Sequence, residues 1–367
     1  MMAMRRARSI KTRTLWTCAA ALTALSLSAV LAAGAGAETL ACSGEPSSVK
    51  TLNITVAGTP TYGYYTLPSG TPKGVVVLGH GYPTTAASMV PLLSGISQRD
   101  GVIAVAMDYH GTVDLEGPTG STSRGWRVAE GAEDSIAAVH QFEAACQAGN
   151  PRFVNTAFGI SMGGNMTGLA VSQHATRAGG GGLFDYWFDV SGVTDVPEIY
   201  LDATAISLAP LGSIQQIGTN AKADIEAEMG GLPLLALPTY LNRSPALRAS
   251  EMKASGLKGV IVAHGVLDGE VTSDQSVQMV AALALAGIPT DYYTSVFKAP
   301  ESPPGLTLDG DILGLIPDYE SPFAGHVNAV VLETSLARLD ALYQEGTAPS
   351  GLHVTVADGS LGTFPLL

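Results

Sequence analysis

Short apolar runs recur along the chain from about residue 50 and alternate with longer stretches in which apolar residues return at helical spacing. Such alternation is typical of βαβ units, whose parallel strands are covered by helices on both faces. The runs at 51–56 and 62–67 instead predict an antiparallel lead-in hairpin. Buried strands are predicted at residues 74–78, 102–107, 155–158, 186–190, 259–263 and 292–296. The pattern therefore predicts an α/β fold with a mostly parallel, doubly wound sheet.

Helical patterns fill several of the stretches between these strands. Apolar residues recur three or four positions apart over 128–142, after a polar, Ser-rich turn. Further helices are predicted over 162–173, 274–286 and 329–342. With strands and helices in this order, we expect helices on both faces of the sheet.

Residues from about 195 to 250 break the alternation, because five prolines punctuate the apolar pieces there. We expect a small helical cap inserted over the sheet; an ordinary pair of crossover helices with long loops is the alternative. Residues 346–367 are predicted to form a C-terminal extension with a strand at 352–356. Residues 38–367 are therefore expected to be a single large domain.

The N-terminus has the pattern of a secretory signal peptide. Five basic residues precede an apolar run over 15–33, and Ala35-Gly36-Ala37 offers small residues for cleavage. We predict that residues 1–37 are removed and that the protein is secreted, extracellular or periplasmic. An uncleaved anchor is the alternative, because the run approaches membrane-spanning length. Its Ala, Ser and Thr content favours cleavage, after which we expect no stable membrane anchor.

The net negative charge of the chain argues against some classes of binding partner. The chain carries 32 Asp and Glu against 19 Lys and Arg, a net charge of −13, and signal removal would take away five basic residues. Because phosphate backbones attract basic surfaces, nucleic acid is not expected as a partner. Neutral or apolar substrates fit this acidic balance better.

The cysteines predict one disulfide. Cys18 lies within the signal peptide, which leaves Cys42 and Cys146 in an oxidising compartment. We expect them to pair and to fasten the mature N-terminus to the body; two free thiols are the alternative. Neither these cysteines nor the histidines show metal-ligand spacing, so no metal site is predicted.

The run Gly159-Ile160-Ser161-Met162-Gly163 matches the G-x-S-x-G pattern of a nucleophile elbow. It follows a predicted strand and precedes a predicted helix, which is the context that the pattern requires. Gly159 and Gly163 allow a turn sharp enough to lift the Ser161 hydroxyl above the sheet edge. A Gly-rich turn that merely contains a serine is the alternative interpretation.

A serine hydroxyl becomes a good nucleophile only when a base takes its proton, and a carboxylate should orient that base. His326 lies in a Pro- and Gly-bounded loop after the last predicted strand, where the chain order Ser, Asp, His would place it. Asp268 follows the strand at 259–263, at the carboxyl edge where ligands gather. Asp195 is the alternative acid and Glu270 a weaker one, whereas His264 is predicted to hold the Asp268 loop.

The oxyanion of an acyl-transfer intermediate needs two fixed backbone N–H donors. Tyr82 follows an early strand in the run Gly79-His80-Gly81-Tyr82-Pro83, and Met162 follows the serine. We predict the N–H groups of Tyr82 and Met162 as these donors. The Tyr82 ring either lines the acyl pocket or only packs.

These residues resemble the α/β-hydrolase superfamily over roughly residues 50 to 345. The passage from Arg243-Ser244-Pro245 to His264-Gly265-Val266-Leu267-Asp268 is similar to the catalytic domain of prolyl-oligopeptidase-type peptidases and dienelactone-hydrolase-like esterases. Tyr82 with Ser161-Met162-Gly163-Gly164 is more similar to secreted cutinases and polyester hydrolases. The resemblance implies an α/β-hydrolase fold, a Ser161, Asp268 and His326 triad, acyl-enzyme chemistry and no cofactor.

Three functions remain open at this point. A secreted hydrolase of small-molecule or polymeric carboxylic esters is favoured, with Ser161 attacking the ester carbonyl. A serine peptidase is the alternative that the passage ending at Asp268 favours. A binding protein that has lost turnover on the same fold is the third.

Overall fold

A mixed sheet of ten strands runs through the part of the chain that the structure describes. This computed structural model describes residues 40–111, 115–116, 122–123, 125–147, 150, 152–208, 213–296, 326–327, 329–357 and 363–365. The predicted signal peptide lies outside them. The strands of the large sheet are β1 (Lys50–Val56), β2 (Thr59–Thr66), β3 (Gly74–Gly79), β4 (Ile103–Met107), β7 (Val154–Ile160), β8 (Tyr186–Val190), β9 (Gly259–Gly265), β10 (Thr290–Ser295), β11 (Leu352–Ala357) and β12 (Thr363–Pro365). A separate two-stranded sheet consists of β5 (Leu115–Glu116) and β6 (Thr122–Ser123).

The strand order across the large sheet is β1-β2-β4-β3-β7-β8-β9-β10-β11-β12. Every pairing from β4 to β11 is parallel, whereas β1 with β2, β2 with β4 and β11 with β12 are antiparallel. Each predicted strand overlaps an observed one and extends at most one residue beyond it. The mostly parallel, doubly wound sheet predicted from the sequence is therefore confirmed.

The central strands are mostly apolar because both of their faces are buried. In β3, every residue is buried, with Val75 and Val77 packing into one core and Val76 and Leu78 into the other. Successive side chains of a strand point to opposite faces, so one apolar run supplies both cores.

Helices cover the two faces of the sheet. Buried side chains of α2, α3 and α8 belong to one core, and those of α1 and α9 belong to the other. No helix among the described residues is long and apolar enough to cross a membrane. The helices are α1 (Val90–Asp100), α2 (Val128–Cys146), α3 (Met162–Ser172), α4 (Val196–Leu208), α5 (Ser213–Met229), α6 (Pro233–Asn242), α7 (Ala249–Ala254), α8 (Ser273–Leu285) and α9 (Ala329–Asp340), with short helical turns at Ala86–Met89, Pro245–Arg248 and Ala341–Glu345.

The segment between β8 and β9 is helical and contains α4, α5 and α6. Tyr200 of α4 packs edge-on against Tyr240 of α6, with ring centroids 5.8 Å apart. Helix α6 is kinked, because Pro238 lies inside it and Ala236 has non-helical dihedral angles. The expected cap segment thus consists of three helices that pack on one another.

Cys42 and Cys146 are joined by a disulfide, with their Cα atoms 5.4 Å apart. Cys146 is the last residue of α2, and Cys42 precedes β1. The bond therefore fastens the described N-terminal segment to the end of a core helix.

Loss of this disulfide should lower the free energy of unfolding. The bond spans 104 residues of sequence, and cross-linking a loop of that size restricts the unfolded chain, which stabilises a protein by about 2–5 kcal/mol. We expect a Cys42→Ala, Cys146→Ala variant to unfold at lower temperature or denaturant concentration. Dithiothreitol should lower the stability of the parent protein and leave the variant unchanged; equal sensitivity of both would contradict the prediction.

Candidate active site

Ser161 lies in a sharp turn between β7 and α3. Its backbone has φ 56° and ψ −123°, a region that residues with a side chain rarely adopt. The surrounding backbone holds it there: Ser161 N–H donates to Val190, while Val193 and Gly164 donate to the Ser161 carbonyl at 3.2 and 2.8 Å. Several contacts thus impose a conformation that costs on the order of 1–3 kcal/mol, which is typical of functional sites.

The two flanking glycines are required by the close approach of α3 to the sheet. A Cβ atom at Gly163 would lie 2.1 Å from the carbonyl oxygen of Gly79 at the end of β3. A Cβ atom at Gly159 would lie 2.2 Å from the carbonyl oxygen of Gly163. Any side chain at either position would push the helix away from the strands and move Ser161.

Asp268 and His326 meet at the carboxyl edge of the sheet. Asp268 follows β9, and His326 lies between β10 and α9; Nδ1 of His326 is 2.8 Å from Oδ2 of Asp268. The other oxygen of Asp268 accepts hydrogen bonds from the backbone N–H groups of Glu270 and Val271, both at 3.0 Å. Both side chains are buried. The alternative acid, Asp195, instead accepts a hydrogen bond from the Glu198 N–H at the start of α4.

Burial and charge act against each other in this pair. Burial alone would raise the pKa of Asp268, but His326 and His264 outweigh it and hold that pKa well below its usual value. Burial alone would lower the pKa of His326, but Asp268, with a smaller effect of Glu270, raises it above its usual value. The carboxylate therefore stabilises the protonated imidazole, as a general base needs once it has taken a proton.

His264 is a second histidine on the same carboxylate. Its Nε2 lies 3.2 Å from Oδ2 of Asp268 and 2.9 Å from the Val271 carbonyl oxygen, and its Nδ1 lies 2.6 Å from the Ser276 hydroxyl. All these contacts are satisfied when Nε2 carries the proton and Ser276 donates to Nδ1. Sequence reasoning expected His264 to hold this loop; its direct contact with the Asp268 carboxylate was missed. The signal was its position four residues before Asp268.

The Ser161 hydroxyl makes no hydrogen bond to His326 among the described residues, although both follow strands that end at this edge. In structures without substrate, such contacts are often long and tighten only in the complex. Ser161 and Glu270, two residues beyond Asp268, line one pocket. The arrangement thus places the hydroxyl and the Asp268–His326 pair at the same edge of the sheet.

The pocket above Ser161 has a mostly apolar wall. Residues of α4 and α5 make up half of its described lining. Among those described lining residues, Glu270 is the one acidic side chain. The lining residues are Tyr82, Trp126, Ser161, Val193, Ile199, Ala203, Ile206, Ile217, Gly218, Ala221, Glu270 and Val271.

Tyr82 connects the loop after β3 to the helices above the pocket. Its ring lines the pocket and lies 5.8 Å from the Trp126 ring, and its hydroxyl donates to Oδ2 of Asp224 on α5 at 2.7 Å. Met162 is the first residue of α3, where the N–H groups of a helix have no partner within the helix. Tyr82 thus lines the pocket, and Met162 directly follows Ser161 at the start of α3; their roles as oxyanion donors stay a prediction.

A buried polar cluster that sequence reasoning missed holds the Tyr82 loop. The His80 ring stacks on Tyr109 with centroids 4.1 Å apart, and the Tyr109 hydroxyl donates to the His80 carbonyl at 3.1 Å. Asp108 accepts a hydrogen bond from the Ala86 N–H at 2.8 Å. The available signal was that Asp108 and Tyr109 directly follow a buried strand, at the functional edge of the sheet.

Asp189 lies on β8, fully buried beside the turn that carries Ser161. Its Oδ1 occupies space that a Cβ atom at Gly164 or Gly192 would need, at 2.3 and 1.7 Å. Neither carboxyl oxygen has a hydrogen-bond partner among the described residues. Burial therefore raises the pKa of Asp189 to about 7, although His264 opposes the shift.

In the part of the chain that the structure describes, no group of three His, Cys, Asp or Glu side chains is arranged to hold a metal ion.

The fold and this constellation define a serine hydrolase of the α/β-hydrolase superfamily. The sequence matches the model of the prolyl oligopeptidase family over residues 93–297, more than half of the chain. The chain belongs to the prolyl oligopeptidase family. No protein with a curated description matches its sequence.

Several solved structures are similar to this chain at low sequence identity. A puromycin-hydrolysing peptidase of Mycobacterium tuberculosis is 20% identical, with a TM-score of 0.50, over 85% of this chain and 42% of that one. An acylaminoacyl peptidase of Pyrococcus horikoshii is 19% identical, with a TM-score of 0.46, over 68% of this chain and 36% of its own. An esterase of Pyrococcus furiosus is 13% identical, with a TM-score of 0.45, over 67% and 80% of the two chains. The alignments therefore cover well under half of each peptidase.

Replacing Asp189 with Asn should stabilise the protein at alkaline pH. The carboxyl titrates near pH 7 in the folded protein but near 3.8 in the unfolded chain, so stability is lost as the pH rises through this interval. We expect Asp189→Asn to raise the free energy of unfolding at pH 8 by a few kcal/mol, which is the size that a pKa shift from 3.8 to about 7 implies. At pH 4 the substitution should change the free energy of unfolding little.

Denaturant unfolding at the two pH values measures this difference. Asp274→Asn, a change at an exposed position in the first turn of α8, is the matched control and should show no comparable gain. An Asp189→Asn gain that is no larger at pH 8 than at pH 4 would refute a raised pKa for Asp189.

Proposed function

We propose that this serine hydrolase cleaves carboxylic esters through an acyl-enzyme intermediate on Ser161. The apolar wall that α4 and α5 place over Ser161 carries the proposal. Such a wall suits the hydrocarbon part of an ester better than the polar backbone of a peptide.

In the first step, Ser161 Oγ attacks the ester carbonyl carbon while His326 accepts the hydroxyl proton. Asp268, 2.8 Å from Nδ1 of His326, keeps the ring oriented and stabilises its positive charge. The N–H groups of Tyr82 and Met162 donate to the oxyanion. His326 then protonates the departing alkoxide, so an alcohol leaves and an acyl-serine remains. Water repeats these steps with the acyl group, releases a carboxylic acid and restores Ser161.

A peptidase is the second candidate, and two observations favour it. The chain belongs to the prolyl oligopeptidase family, and the pocket wall includes Glu270, a carboxylate that would pair with a substrate ammonium group. A peptidase that hydrolyses puromycin shares the fold. Amide substrates with a free amino group are therefore the appropriate comparison for esters.

We also propose that the protein acts outside the cytoplasm. The disulfide between Cys42 and Cys146 supports this location, because cytosolic thiols are normally kept reduced. The charged, then apolar, N-terminal pattern supports export by the secretory route.

Ser161→Ala should abolish both covalent labelling and turnover. A fluorophosphonate probe reacts with an activated serine, so we expect labelling of the parent protein and of Ser250→Ala, a control on an exposed helix position. Short p-nitrophenyl esters should be hydrolysed faster than aminoacyl p-nitroanilides. Faster amide turnover would favour the peptidase, and an unlabelled parent protein would contradict both enzymatic functions.

Glu270→Gln should move the acid limb of the kcat/KM profile to lower pH. His326 must be neutral to accept the proton, and its pKa is raised by two carboxylates, Asp268 and Glu270. Removing the Glu270 charge should lower the apparent pKa of His326, by less than loss of the Asp268 charge would. Glu345→Gln, at an exposed position, is the control and should leave the profile in place. An unchanged limb in Glu270→Gln would show that Glu270 does not act on His326.

A further inference from the structure

Exposed large apolar side chains concentrate in the cap helices, which we define as α4, α5 and α6 with residues 230–232 between α5 and α6. Leu234 is 91% exposed and Leu235 is 78% exposed, both in the first turn of α6. Leu237 and Leu241 continue the exposed apolar surface of this short helix. Outside α6, the cap helices expose Leu201, Leu208, Ile217 and Leu232. Isolated exposed leucines are ordinary, but a concentration on adjoining helices marks an interaction surface.

The charges of the cap helices indicate what this surface can contact. Residues 230–242 contain no charged residue. Lys222 is the single basic residue between 196 and 242, and it is paired with Glu226 on the same helix. Asp224 of α5 is buried and accepts a hydrogen bond from Tyr82, and the partly buried Glu228 lies 3.8 Å from Arg243. Residues 230–242 therefore present an uncharged surface, which lacks the basic residues that anionic lipid requires.

The same helices reach the pocket of Ser161. Ile199, Ala203 and Ile206 of α4 line it, and Ile217 of α5 both lines it and is 40% exposed. Tyr82, on the loop beside Ser161, donates to Asp224 of α5. Ile217 thus belongs both to the pocket wall and to the exposed apolar side chains of the cap helices.

We propose that the cap helices dock on the surface of a water-insoluble, uncharged ester, so that ester molecules enter the pocket directly from that surface. This inference rests on the proposed ester hydrolysis and names the physical state of the substrate. Docking removes the exposed leucines from water, and this gain is available only when the ester forms a separate apolar phase. Dissolved esters of the same chemistry reach the serine without it.

The test compares one ester below and above its solubility. Tributyrin is the probe, and p-nitrophenyl butyrate at dissolved concentrations measures the active site alone. We expect the rate on tributyrin to rise by about tenfold once droplets form, beyond the saturation expected from dissolved ester. We also expect the protein to sediment with the droplets.

The variant Leu234→Glu, Leu235→Glu places two charges at the most exposed positions of α6. It should keep its kcat/KM on dissolved p-nitrophenyl butyrate within about twofold and lose about tenfold of its rate on droplets. Leu285→Glu is the matched control, because Leu285 is also 91% exposed but lies at the end of α8. Leu234→Ser, Leu235→Ser, without added charge, should show the same direction of change.

Four results would overturn the inference. The first is a tributyrin rate that does not rise above the solubility limit while dissolved p-nitrophenyl butyrate is still hydrolysed. That result would leave the proposed ester hydrolysis unaffected. The second is a loss of thermal stability in both double variants, which would mean that the leucines pack within the molecule. The third is a dimer that the double variants dissociate, and the fourth is equal sedimentation with anionic phospholipid vesicles. If neither ester is hydrolysed, the proposed function itself fails.

Discussion

The close approach of α3 to the sheet at Ser161 is the constraint on which the site depends. Gly163 packs against the end of β3 so tightly that a Cβ atom would lie 2.1 Å from the Gly79 carbonyl oxygen. This contact fixes where α3 begins, and therefore where Met162 and the strained Ser161 lie. The same contact couples the end of β3, which leads to Tyr82, to the nucleophile turn. A displacement of α3 would change the serine and both predicted oxyanion donors together.

The Asp268 carboxylate organises the other half of the site. Two backbone N–H groups hold one oxygen, and two histidine rings approach the other. An ionised carboxylate in a buried position is costly unless such donors surround it. Because His264 is anchored through Ser276 on α8, the orientation of the carboxylate depends on how α8 packs on β9. The acid is therefore fixed by the sheet and by α8.

Much of the fold was predictable because buried parallel strands leave a strong pattern. The run at 186–190 matches β8 at both ends, since every inward and outward position is apolar or enclosed. The serine turn and the histidine loop were also recognisable from Gly and Pro placement. The pattern favoured Asp268 but left Asp195 as an alternative, because both follow a strand at the carboxyl edge. Only the path of each loop in space shows that Asp268 reaches His326.

Other features left weaker signals or none. Asp189 is flanked in the sequence by the apolar residues Phe188 and Val190. Nothing in the sequence shows that the Asp189 carboxyl group fits between Gly164 and Gly192. The cap helices were expected as a unit, but their three-helix arrangement depends on side-chain packing such as that of Tyr200 on Tyr240. Long-range contacts of this kind are decided by tertiary structure, which short-range periodicity does not encode.

The site thus combines two parts with different physical requirements. Ser161 and Asp268 are held by backbone hydrogen bonds at the sheet edge, and His326 is held by its contact with Asp268, so their geometry depends on exact positions. The cap helices contribute apolar surface, whose effect depends on area and tolerates exchange of one leucine for another. Tyr82 connects the two parts, because its backbone lies at the sheet edge and its hydroxyl donates a hydrogen bond to Asp224 of α5. Substrate range can therefore change in the cap helices while the chemistry at the sheet edge stays the same.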